Sequence, residues 1–466
     1  MYAILREDIA LRAWKGVPRA YYVRGEDMVH GLGEKQFEIM RMCDGLQDIP
    51  ESRELTLLLG AGMVQACEKG LRSLSEWQKL RVHENRYFPT VHWMLTQKCN
   101  YNCLHCFNCA DNAPLHTEYA WEDAERLLDE IEACGVHTVD LTGGEPMLHP
   151  HFRDILKGIH DRGLMLGRLL TNGSFITPEL LQWMKSLGLR PQFKISFDGA
   201  GHHDWMRGRK GAEQQALRAI RLCIEHDFPV MVQYNLNRRT MDALMDTARM
   251  LDAMGVQAMR ILRTSESPRW KDNGEGLTLS MTEWHDATVD FMQRYAAEEH
   301  RMQVLMWMIC YLDPLEKTYQ LRPVRCRAGK FNEKLAMCTE VRRVACIAAD
   351  GSLYPCMQAG VYLDQLGMKL GNVKEAGLKP LLTEGAYVDM ACETIGQFLA
   401  RNEKCRICKY AKFCAGGCRV CAMYLTGDPD RHDPHKCFFF ENGYYDRFVQ
   451  ALPGYENITP IEEDDL

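Results

Sequence analysis

Cys99, Cys103 and Cys106 fall within eight residues, Cys-Asn-Tyr-Asn-Cys-Leu-His-Cys, spaced C-x-x-x-C-x-x-C. A loop this short can wrap three sulfurs round one metal centre, because each thiol needs only a turn of backbone to point inward. Three thiolates on a four-iron, four-sulfur cube leave one iron without a protein ligand, and an open coordination position is where metal chemistry happens. The same residues fit a structural zinc site completed by His105 or His92. Spacing alone does not choose between the two. The elements around the loop have to.

Those elements alternate between residues 89 and 275. Val91–Thr96 reads as a strand leading to a helix at Trp121–Cys134, followed by His137–Leu141 with Phe152–Arg162, and Leu166–Thr171 with Pro178–Leu187. Gln192–Phe197 with Ala212–His226, Val230–Asn235 with Met241–Met254, and a strand Gln257–Leu262 continue the pattern. Thr177-Pro178 offers a capping hydroxyl and a first-turn proline where a helix should start. Six such units predict an α/β fold, a parallel sheet curled into a partial (β/α)6 TIM barrel, with its chemistry at the C-terminal ends of the strands. The distinctive residues sit at those ends. Beyond the cysteine loop they are Thr142-Gly143-Gly144-Glu145-Pro146, Thr171-Asn172-Gly173 and Ser196-Phe197-Asp198-Gly199. Each alone is an ordinary turn. Four in successive loops facing one mouth make a binding site.

Composition bounds the rest. A chain of 466 residues exceeds one ordinary core and predicts two or three domains. A net charge of −7 names no polyanionic partner. The first residues, Met-Tyr-Ala-Ile-Leu-Arg-Glu-Asp, lack the apolar run of a signal peptide, and no apolar stretch is long enough to span a membrane. The expectation is a cytoplasmic protein without membrane or nucleic-acid partners. Its 20 cysteines are then thiols, and their clustering in ligand-like spacings points to metal.

Residues 1–88 read as a small winged-helix-like module, with a hairpin of Arg19–Val23 and Met28–Leu32 and helices at Glu34–Cys43 and Glu54–Lys69. Its 13 basic and 13 acidic side chains leave no basic stripe for nucleic acid. Residues 276–325 read as a linker with a helix opened by the capping box Ser280-Met-Thr-Glu283. Residues 326–466 hold Cys405-x₂-Cys408-x₅-Cys414-x₃-Cys418 followed by Cys437, preceded by Cys338-x₁₂-Gly351-x₄-Cys356. Most of the other cysteines read as small buried hydrophobes. Cys109 and Cys421 stand apart, each three residues from a candidate ligand.

On these motifs the chain resembles the radical S-adenosylmethionine (AdoMet) enzymes. The resemblance implies that Cys99, Cys103 and Cys106 hold a [4Fe–4S] cluster whose free iron is chelated by AdoMet. It implies that Gly143, Gly144, Glu145 and Pro146 receive the AdoMet ammonium, and that Asn172, Ser196 and Asp198 contact its ribose and carboxylate. His105 then stacks without ligating. General acid–base help, about 10²–10⁴-fold, is too little to break an unactivated C–H bond, so a cofactor has to carry that step. In this family it is a 5′-deoxyadenosyl radical, made with one electron from an external flavodoxin- or ferredoxin-type reductant.

The C-terminal cysteines resemble the SPASM extension of radical AdoMet enzymes that act largely on peptides, which implies two auxiliary [4Fe–4S] clusters and three in all. Cys405, Cys408, Cys414 and Cys437 would hold the distal cluster. Cys356, Cys418, Cys326 and Cys338 would hold the proximal one, with Cys346 the rival for the upstream pair. Residues Gln36–Gly45 resemble the peptide-chaperone domain of pyrroloquinoline-quinone biosynthesis, which implies a precursor peptide whose leader adds a strand to a sheet edge. The expected activity is an intramolecular thioether or carbon–carbon cross-link in that peptide, with epimerisation as the alternative. A formylglycine-forming sulfatase maturase is the nearest rival, but the Asp that follows its Tyr-Pro-Cys cysteine is Met357 here. A redox sensor or electron carrier is the non-enzymatic rival.

Overall fold

The computed structural model describes residues 1–108, 117–264, 267–326 and 330–461. Cys109, most of the Cys-Arg-Ala-Gly turn after Cys326 and the acidic tail beyond Ile461 lie outside the described residues.

The central element is a sheet of twelve strands. Its core is parallel and follows chain order through Thr90–Met94, Thr138–Thr142, Met165–Thr171, Gln192–Ser196, Val230–Leu236 and Ala258–Arg263. Each strand is followed by a helix whose apolar positions recur at helical spacing. Trp121–Ala133, for instance, buries Ala124, Leu127, Leu128 and Ile131. The Thr177 hydroxyl accepts the Leu180 N–H at 3.2 Å and Pro178 opens that helix, as its local sequence predicts. Thus the α/β partial barrel is the fold, with boundaries within a few residues of those read from sequence.

The sheet extends further than its six βα units. Gln303–Met306 adds a seventh parallel strand beside Ala258–Arg263, and Cys310–Asp313 and Thr318–Leu321 follow it antiparallel. The segment read as a linker therefore supplies sheet as well as its capped helix, Met281–Ala296. At the other edge Val344–Ile347, from the cysteine-rich region, pairs parallel with Thr90–Met94. The C-terminal region is thereby anchored on the first barrel strand, next to the cysteine loop.

The N-terminal module carries the expected hairpin, Val17–Val23 with Val29–Gly31, inside a four-stranded sheet that also includes Ile9–Lys15 and Arg81–Arg86. The second helix is shorter than expected. It ends at Gly60, because Gly62 takes a positive φ of 65° that breaks the helix and turns the chain into the strand Val64–Ala66.

Candidate functional site at the barrel mouth

The cysteine loop leaves the first strand and folds over the mouth. Cys99 is buried, Cys103 and Cys106 are half-buried, and all three pack with Tyr101 and Ala212. The loop is held from several sides. The Tyr101 hydroxyl donates to Gln215 Oε1 at 2.7 Å, the Leu104 N–H donates to the Met206 carbonyl at 3.0 Å, and Arg209 Nη1 donates to the Asn100 carbonyl at 2.9 Å.

The Gly-Gly pair has a steric reason. The Gly144 N–H donates to the Thr96 carbonyl at 2.6 Å and the Glu145 N–H to the Lys98 carbonyl at 2.9 Å, which stitches this loop to the cysteine loop. A Cβ at 143 would stand 2.6 Å from the Thr96 oxygen and one at 144 would stand 2.2 Å from the Lys98 oxygen. Only glycine lets the two backbones approach this closely. Pro146 opens the short turn Pro146–Leu148 that follows.

Glu145 is fully buried, and its carboxylate accepts from the Thr171 hydroxyl and the Asn172 N–H, each at 2.9 Å. Burial pushes its carboxyl up to about 7 against these hydrogen bonds. Asn172 in turn donates to Asn100 Oδ1 at 2.8 Å and points Nδ2 at Cys99 Sγ, 3.9 Å away. Glu145 thus orients the third-strand loop toward the cysteines.

Asp198 is likewise turned inward. It is fully buried, paired with Arg207 Nη2 at 2.8 Å and His203 Nδ1 at 3.2 Å, and accepts the N–H and side-chain amide of Asn235. Burial alone would raise its pKa, but the Arg207 guanidinium and His203 hold the carboxyl well below its usual range. Arg207 also reaches Cys103 Sγ, with Nη1 at 3.8 Å. The sequence reading missed Arg207. It lies on the short helix His203–Arg207 directly after the Asp198 loop, and that proximity was the one available signal. Ser196, half-buried, ends its strand in register with Gln233.

These surroundings fit an iron–sulfur centre. The Tyr101 N–H lies 3.4 Å from Cys99 Sγ, so with Asn172 and Arg207 three N–H donors are aimed at cysteine sulfurs. Such donors favour a negatively charged thiolate or cluster. Without one, burial pushes the Cys99 thiol up to about 12. His92 shares its surroundings with Lys194, Arg168 and Arg260, and His105 sits among Arg207, Asp198 and His203. Among the described residues no three His, Cys, Asp or Glu side chains converge tightly enough to hold a single metal ion.

In the C-terminal region Cys405, Cys408, Cys414 and Cys437 neighbour one another. Ala415, Gly416 and Gly417, all with positive φ, turn the chain between Cys414 and Cys418, and the Cys418 N–H is held by Asp433 Oδ2 at 2.9 Å. Cys418 lies near Cys356 and Cys338, and its side chain hydrogen-bonds to that of Cys421. Cys326 packs in a small apolar cluster with Met337, Phe398 and Cys405. Cys346 is buried within its strand, in register with His92.

Comparison with known proteins accords with this geometry. Residues 93–251 match the radical SAM superfamily and residues 338–409 match the SPASM iron–sulfur cluster-binding domain. The chain is a radical SAM enzyme with a SPASM extension, and AdoMet and [4Fe–4S] clusters are the cofactors of that class. An AdoMet-dependent heme synthase of Methanosarcina barkeri is 26% identical over 351 residues, covering 74% of this chain and 95% of that protein. A PqqA peptide cyclase of Granulibacter bethesdensis is 25% identical over 343 residues, covering 73% of this chain and 84% of that protein. The crystal structure of Streptococcus suis SuiB bound to precursor peptide SuiA superposes with a TM-score of 0.62 at 13% identity, covering 93% of this chain and 99% of that one. Among the described residues no helix is long and apolar enough to cross a membrane.

Proposed function

We propose that this enzyme matures a ribosomally made precursor peptide, installing an intramolecular thioether or carbon–carbon cross-link. The observation that carries the reading is the extent of the likeness to a peptide-bound fold. It takes in 93% of the chain, so most of the N-terminal module is included. A module with a short, accessible edge strand at Val29–Gly31 suits an added leader strand.

Cys99, Cys103 and Cys106 would hold the cluster that takes AdoMet. When bound, these groups supply one-electron cleavage of a sulfonium and hydrogen-atom abstraction from the substrate. The chain's own residues do the positioning. Glu145 and Asn172 fix the third-strand loop against Cys99, Arg207 sets the charge at Cys103, and the Gly-Gly loop holds the cysteine backbone in place. Cys405, Cys408, Cys414 and Cys437 would hold the distal auxiliary cluster, giving three clusters in all, with a flavodoxin- or ferredoxin-type protein as reductant.

The test is mass spectrometry after anaerobic incubation with AdoMet, reductant and candidate precursor peptides. A loss of two hydrogens from a peptide supports cross-linking. An unchanged mass with deuterium uptake from heavy water supports epimerisation instead. The heme synthase relatives favour a second reading, a tetrapyrrole substrate, and the same incubation with heme precursors checks it.

The proximal auxiliary set is proposed as Cys338, Cys356 and Cys418 with Cys421 as fourth ligand, in place of Cys326, because the Cys421 side chain hydrogen-bonds to that of Cys418 whereas Cys326 packs in the cluster that holds Cys405 of the distal group. With Cys99, Cys103 and Cys106 changed to alanine, only auxiliary iron remains to be counted. In that background Cys421→Ala is expected to remove about four irons per chain or shift the electron paramagnetic resonance of one cluster. Cys326→Ala is expected to leave both unchanged, and the reverse result returns Cys326 to the ligand set.

A further inference from the structure

Beneath the mouth, the concave face of the barrel carries a set of charged side chains that the cofactor site does not use. Strand register places His92 beside Asp140, Arg168 beside Gln192 and Gln233 beside Arg260. Side chains alternate along a strand, so Lys194, two residues past Gln192, lies on the same face. The residues between them, including Trp93, Leu141, Phe193 and Ile261, are fully buried in the main core.

This face is built with more positive than negative charge. Arg168, Lys194 and Arg260 lie close enough to repel one another, and Arg322 adds to the repulsion at Arg260. The acids that oppose them are Asp140, 3.4 Å from Arg168, and Glu340, near Arg260. The Arg260 guanidinium is stacked on Trp307, 3.5 Å from the ring centroid, and its buried Nε has no hydrogen-bond partner. His92 Nε2 is buried without a partner as well. Burial and these like charges hold the Lys194 ammonium well below its ordinary range. Yet Lys194 keeps some solvent access and the Arg168 side chain is 55% exposed, so a ligand can reach the set.

Lys194 lies two residues below Ser196, roughly 7 Å at the usual strand rise. A group seated there would place atoms a few bonds away at the level of the cysteine loop. We infer that Arg168, Lys194 and Arg260 form a carboxylate-binding floor, which anchors an acidic group of the substrate several bonds from the hydrogen that is removed. This rests on the barrel being where substrate is held, and it narrows the substrate to a carboxylate bearer. The carboxylate supplies the acceptor that Arg260 Nε lacks and neutralises the excess positive charge. It has two possible sources, an acidic residue of a peptide or a carboxylate side chain of a tetrapyrrole.

The experiment is equilibrium binding to the anaerobic, cluster-loaded full chain in the presence of AdoMet. One arm uses coproporphyrin III against its tetramethyl ester, read by porphyrin fluorescence anisotropy. The other uses fluorescein-labelled short peptides with a central Glu against the same peptides with Gln. In at least one arm the acid is expected to bind roughly tenfold tighter than its neutral counterpart, the ordinary discrimination of a charge-assisted hydrogen bond. Lys194→Met and Arg260→Met should each erode that preference and together abolish it, while Lys194→Arg should keep it. Iron content and circular dichroism identify any variant that fails to fold, and the wild-type comparison stands without the variants. Equal binding of acid and neutral forms in both arms overturns the inference, as does a preference that survives the double substitution. A preference confined to the porphyrin arm keeps the floor and counts against the peptide reading. Peptide turnover by an enzyme indifferent to charge does the opposite.

Discussion

Gly144→Ala is expected to cost the enzyme the iron held by the cysteine loop, together with AdoMet cleavage. A methyl at this position meets three backbone atoms, the Lys98 oxygen at 2.2 Å, the Lys98 carbon at 2.6 Å and the Gln97 oxygen at 2.7 Å. None of them can rotate aside as a side chain would. Relief requires the two loops to part by about an ångström, which breaks the hydrogen bonds from Gly144 to Thr96 and from Glu145 to Lys98. Overpacking of this kind costs about 1–3 kcal/mol and the lost hydrogen bonds about 1 kcal/mol each. The sum corresponds to a roughly hundredfold or greater fall in the fraction of loops able to hold metal. Iron per chain and 5′-deoxyadenosine production measure it. Gly60→Ala, where an added Cβ meets nothing within 4 Å, is the control and should leave both at wild-type levels. Full iron content and normal cleavage in Gly144→Ala would mean that the loops are not locked together as described.

The same contact shows what the chain disclosed before its structure was known. The alternation of strands and helices was readable because each barrel strand is a short stretch of apolar residues broken by single polar ones, and each helix repeats its apolar positions at helical spacing. The loops that matter were readable because glycine, asparagine and aspartate cluster at the strand ends. What was not readable is direction. Glu145 and Asp198 are the residue types a polar ligand would call for, yet both are fully buried and turned toward the protein. No spacing rule distinguishes a carboxylate facing a cofactor from one that braces the loop beside it. Arg207 escaped notice because its partner on one side is a carboxylate nine residues back and on the other a sulfur in a different loop. Gln303–Met306 escaped because a four-residue strand after a helix gives too short a period to recognise. The inner charges were in plain view as single polar residues within strands, but only register shows that Arg168, Lys194 and Arg260 share a face.

Arg207→Met is expected to act in two separable ways. Arg207 is the main counter-charge to a carboxylate with no solvent exposure, at 2.8 Å. Removing it strands that carboxylate, and losing one partner of a buried pair typically costs about 3–5 kcal/mol. Asp198→Asn alone should also destabilise, because it leaves the guanidinium buried with His203 as its neighbour. Combining Arg207→Met with Asp198→Asn removes both charges, so the double variant should be more stable than the sum of the single losses predicts. Urea unfolding of the four proteins gives that coupling directly. The second effect follows from the other end of the side chain, where Nη1 lies 3.8 Å from Cys103 Sγ. A cation beside a cluster ligand favours the reduced, more negative state, so its loss should move the midpoint potential of the cluster in that loop to more negative values. That shift should appear in Arg207→Met and persist in the double variant, where stability has partly recovered. It should be smaller in Asp198→Asn, which keeps the guanidinium. Strictly additive stabilities would show that the pair does not act as a pair. A potential that tracks stability across the four proteins would show that Arg207 acts on the cluster only by keeping the loop folded.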